Sequence, residues 1–148
     1  MYKMYVRPKL EYCVQAWNPV YSGDIDLIEK VQNRFTRLLP QGNSMTPTER
    51  NEALNITDHK TRWLRGDLIH IYKMIGDGEL FSRVLEARTR GHNKKLLVPQ
   101  SIINIRKHSF SVRNINVWNM LPEHIVIAET LNIFKSKIDV FLCESNVA

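Results

Sequence analysis

Between Arg83 and Arg113 the chain carries eight basic residues (Arg83, Arg88, Arg90, Lys94, Lys95, Arg106, Lys107, Arg113) and a single acid, Glu86. Guanidinium and ammonium groups at this density neutralise phosphates, so the chemistry they suggest is retention of a polyanion. The whole chain has 21 Lys and Arg against 15 Asp and Glu, a net charge of +6, so outside this stretch the charge nearly balances and the excess is a patch. A second strip comes from Lys30, Arg34 and Arg37, which fall on one side of a helix at 100° per residue. Arg88, Arg90, Lys94, Lys95, Arg106, Arg113, Lys30, Arg34 and Arg37 are the candidate nucleic-acid contacts. Arg106 and Arg113, seven apart, share a face if one helix carries both; the competing role for Arg113 is an ion pair with Asp67 or Glu123.

Bond-making chemistry finds no comparable arrangement. The chain has no glycine-rich phosphate loop, no His-Glu-x-x-His and no nucleophile elbow. Asp24 and Asp26 precede an apolar run where a helix begins, and acids there favour the helix dipole over a metal. His59, His70, His92, His108 and His124 lack ligand spacing with each other or with Cys13 and Cys143, which read as two buried free thiols. No catalytic residue, metal or cofactor is assigned. Without a signal peptide or an apolar run of membrane length, the expectation is an intracellular protein, in cytoplasm or nucleus, with no membrane partner and no small-molecule substrate.

The elements that must position these side chains are helical. A helix is expected from about Pro8 to Trp17. Another runs from Ile25 to Leu39 with Ile28, Val31, Phe35, Leu38 and Leu39 facing inward. Thr46-Pro47-Thr48-Glu49 opens a short helix with a capping box. Thr57 caps the next, whose Leu64, Leu68, Ile71 and Ile75 form a stripe widened by Trp63, Ile69 and Tyr72. Trp118 and Tyr72 read as core aromatics before stacking platforms. A helix over 106–119 and a final one capped by Thr130, with Leu131, Phe134, Ile138 and Phe141 on one face, complete the pattern. The expected fold is mainly α: a small helical bundle with a basic loop or short β-hairpin between about residues 83 and 104. One compact domain is expected, made of segments 1–82, 83–105 and 106–148. The abrupt aromatic and basic start suggests truncation at the N-terminus.

Several segments, in order, resemble the C-terminal part of reverse transcriptases from non-long-terminal-repeat retrotransposons of the jockey-like group. They are Tyr5 to Cys13 with Trp17, Ile28 to Arg37, Leu64 to Ile69 with Tyr72-Lys73, Thr89 to His92, Phe110-Ser111 with Arg113, Trp118 to Pro122, and Phe134-Lys135. The chain departs from the family pattern at Asp58, where leucine is usual, at Thr61, where arginine is common, and at Ser109-Phe110, where two aromatics precede the serine. The resemblance implies a thumb and post-thumb segment that lies after the palm and lacks its carboxylates. It implies a piece of an RNA-directed DNA polymerase inactive alone, partnered by RNA template, DNA primer and the missing palm and fingers. A protein-interaction module using the Leu64 to Ile75 seam is one alternative; a decayed element fragment without activity is another.

Overall fold

The structure is a computed structural model that describes residues 2–38, 40, 42–77 and 92–145. It is mainly helical, and no β-strand occurs among the described residues. The chain forms two compact units, Met1–Trp63 and Leu64–Ala148. The division falls inside a helix, where the sequence suggested one domain with segment boundaries near 82 and 105.

In the first unit a π-helical turn, Tyr2–Val6, leads into α1 (Arg7–Glu11) and α2 (Val14–Trp17). Pro8 sits in the first turn of α1, where its missing N–H costs nothing. The expected single helix is interrupted at Cys13, which adopts a left-handed φ of 56°. α3 (Ser22–Arg37) starts with Asp24 in its first turn, the dipole position expected of it. α4 (Pro47–Ala53) has the expected capping box: the Glu49 amide donates to Thr46 Oγ1 at 3.3 Å and the Thr46 amide to Glu49 Oε2 at 2.7 Å. α5 (His59–Asp77) is capped by Asp58, not Thr57, because Asp58 Oδ2 accepts the Thr61 amide at 2.9 Å.

The second unit packs most of α5 with α8 (Ile115–Met120), α9 (Glu123–Val126) and α10 (Leu131–Ser145). Leu68, Ile71, Ile75, Phe134 and Ile138 are buried in its core, as their spacing predicts, and so is Trp118, as expected of a large aromatic. Tyr72 stacks on Phe134 with centroids 4.3 Å apart, and its hydroxyl donates to the Ala128 carbonyl. Trp118 is fully buried and donates from Nε1 to the Lys94 carbonyl at 3.0 Å.

The expected helix over 106–119 is broken into α6 (Asn104–Lys107), α7 (Phe110–Arg113) and α8. Residues 92–103 run irregularly before them, held where Asn119 pairs with both backbone groups of Leu96 at 2.9 Å. Leu96 forms a β-bridge and no strand runs over residues 92–104, while the rest of the loop or hairpin expected between about 83 and 104 lies outside the described residues. Cys13 and Cys143 are free but exposed, not buried. Among the described residues no helix is long and apolar enough to cross a membrane.

Candidate nucleic-acid interface

α3 is the element that gathers cations. Lys30, Arg34 and Arg37 are all exposed and, among the described residues, enter no ion pair. At 1.5 Å per residue they span about 10 Å of helix axis, against one phosphate per about 3.4 Å along one strand of a duplex.

What fixes α3 in place is polar, and hydrophobic periodicity does not reveal it. The face opposite these cations buries Gln32 and Thr36 completely, while Leu38 is 80% exposed and Val31 and Leu27 are also exposed. The expected Val31 and Leu38 seam is thus rotated out, and Leu39 lies outside the described residues. Burying an amide and a hydroxyl is tolerable only when their hydrogen bonds are met, and here they are. Gln32 Oε1 accepts from the Tyr2 hydroxyl at 2.9 Å and from Arg62 Nη2 at 3.4 Å; its Nε2 donates to Asn51 Oδ1 and the Thr57 carbonyl. Thr36 Oγ1 donates to the Asn33 carbonyl and accepts from Arg50 Nε at 3.1 Å. Arg50, itself buried, also donates to the carbonyls of Gly42, at 2.9 Å, and Met45. Gly42 is the residue that allows this closure, since a Cβ there would lie 2.6 Å from the Thr36 carbonyl oxygen.

His59 joins the same network, and its tautomer follows from its neighbours. Arg62 Nη2 can only donate, so His59 Nδ1 accepts at 2.9 Å. Nε2 then carries the proton and donates to the Tyr2 oxygen at 3.2 Å, leaving the Tyr2 hydroxyl to donate to Gln32. Burial, with the Arg62 charge beside it, pushes the His59 imidazole down to about 4. Arg62 is neutralised by Glu11. Glu29 accepts the His59 backbone N–H, and burial raises its carboxyl above the usual range. These contacts tie α3 to α4 and to the start of α5, with its basic side toward solvent.

The second unit treats its candidates differently. Arg106 is exposed on α6. Arg113 is not available as a phosphate contact: its Nη2 donates to Asp67 Oδ2 at 2.9 Å and its Nε to the same oxygen at 3.2 Å. The ion-pair alternative with Asp67 is the one formed. The break between α6 and α8 also removes the common helical face expected of Arg106 and Arg113. Lys94 is half-buried, its Nζ directed to the Val126 carbonyl at 3.4 Å, and Lys95 is half-buried too. Arg88 and Arg90 lie outside the described residues. The structure adds exposed Lys107, a member of the basic stretch that the spacing argument passed over.

Among the described residues no group of three or more His, Cys, Asp or Glu side chains is disposed to hold a metal. Comparison with known proteins finds no matching family model, curated protein or solved structure.

Proposed function

We propose that the chain is a nucleic-acid-binding segment of a retrotransposon RNA-directed DNA polymerase. It holds a template–primer duplex through phosphate contacts and performs no bond-making step itself. The observation that carries this reading is the α3 strip: three exposed cations on one side of a helix whose other side is locked by a buried polar network that meets the hydrogen bonds of Gln32 and Thr36. Phosphate contacts position a duplex without reading its sequence, and an array of Lys and Arg without base-edge amides suits that task. The order of segments shared with non-long-terminal-repeat reverse transcriptases supports assigning the duplex to template and primer.

The direct test is fluorescence anisotropy with RNA–DNA hybrids of unrelated sequence. Similar affinities across sequences are expected, with joint replacement of Lys30, Arg34 and Arg37 by Gln weakening all of them alike. Absence of binding in dilute salt contradicts the proposal.

A second reading has one observation behind it. The Leu64 to Ile75 seam is buried in the second unit's core and offers no docking face, but Leu27, Val31 and Leu38 on α3 are exposed. A surface of this kind buries against protein, and such binding responds little to salt.

A further inference from the structure

The second unit contains a depression of about 360 Å³ bounded by the irregular segment before α6 and by the turns from α6 to α8. That volume lies at the small end of the range of ligand pockets. Val98, Pro99 and Val112 supply an aliphatic surface. Lys107, His108, Ser101 and Asn116 supply an ammonium, an imidazole, a hydroxyl and an amide. Among the described residues none of these four side-chain groups makes a hydrogen bond, and Lys107 enters no ion pair. Arg113 also lines the depression, fixed there by Asp67 and lying 5.8 Å from the Phe110 ring centroid. No carboxylate lines it.

A ligand matching this lining carries an anionic group for the ammonium, a flat apolar body for the aliphatic side chains, and edge donors and acceptors for the hydroxyl and amide. We infer that the depression binds one nucleotide unit, its phosphate on Lys107 and His108 and its base against Val98, Pro99 and Val112. A nucleotide unit comes either free or as the unpaired end of a strand. The strand-end form rests on the duplex-holding role proposed above, and the free form does not.

Adenosine monophosphate titrated into the full chain, followed by amide resonances, tests the pocket. Saturable shifts between Lys107 and Asn116 are expected in the millimolar range, with adenosine and inorganic phosphate each binding about tenfold more weakly. Lys107→Ala should cost about tenfold in affinity, Lys107→Arg much less, and Asn116→Ala an intermediate amount. Both positions are exposed, and unchanged melting curves verify that the variants fold. Unmoved resonances, or variants that bind adenosine monophosphate as well as the parent, overturn the inference.

Comparing a blunt duplex with one bearing a single unpaired nucleotide separates the sources. Tighter binding of the overhang, lost in Lys107→Ala, assigns the pocket to a strand end; equal binding, with adenosine monophosphate still saturating, assigns it to a free nucleotide. Replacing the α3 cations removes duplex retention while sparing adenosine monophosphate, so failure of the duplex role and failure of the pocket give different results.

Discussion

Arg113 Nη2 and Asp67 Oδ2 lie 2.9 Å apart, with the Asp67 side chain only 1% exposed and the Asn114 amide donating to the same oxygen at 2.6 Å. This cation therefore belongs to the fold. Removing it leaves a buried carboxylate unpaired, so Arg113→Ala is expected to destabilise the second unit by about 3–5 kcal/mol. Arg106→Ala, at an exposed position, is expected to leave stability within about 0.5 kcal/mol and to weaken duplex binding. Urea unfolding of the two variants checks the contrast.

The neutral His59 makes stability depend on pH. Its imidazole is held down to about 4 against an ordinary 6.5, so the unfolded chain takes up a proton that the folded one refuses. The contribution is intact above pH 6.5 and is lost as pH falls from there toward 4. Going from neutral pH to pH 5 should cost about 2 kcal/mol. Glu29, raised by burial, acts in the opposite sense, so the measurement is the difference in urea midpoint between the parent and His59→Gln at each pH. That difference should shrink on acidification; a constant difference means that folding leaves the His59 imidazole unshifted, and one that grows means that the fold favours its protonated form.

Trp118 is fully buried against Phe134, with ring centroids 6.0 Å apart. Trp118→Ala should cost about 3–5 kcal/mol. A buried indole cannot serve as a stacking platform, so Trp118 fluorescence, isolated by replacing Trp17 and Trp63 with Phe, should not be quenched when nucleic acid binds.

The parts of this fold that were legible in sequence are those where a local rule coincides with burial. Thr46 and Glu49 form their box, Thr130 Oγ1 accepts the Ile133 amide at 3.3 Å, and Leu68, Ile71 and Ile75 face the core at helical spacing. The misread parts depend on partners distant in the chain. Gln32 and Thr36 look like surface residues until Tyr2, Arg50 and Arg62 are seen to saturate them, and this rotates α3 so that Val31 and Leu38 face solvent. The break near Asn114 coincides with the hold of Asp67, 46 residues from Arg113, on two consecutive side chains. At the candidate interface, Lys30, Arg34 and Arg37 were legible because helical spacing alone sets their common side. Arg113 was ambiguous because the same side chain serves phosphate or carboxylate, and only the position of Asp67 decides.

The salt dependence of duplex affinity bears most directly on the role of α3. In a plot of log affinity against log salt, each phosphate neutralised contributes about −0.9 to the slope through counterion release. Replacing Lys30, Arg34 and Arg37 with Gln should therefore make the slope shallower by about 2.7, with the urea midpoint unchanged because all three are exposed. A parent slope near zero, or an identical slope in parent and variant, contradicts the assignment of this helix to the nucleic-acid backbone.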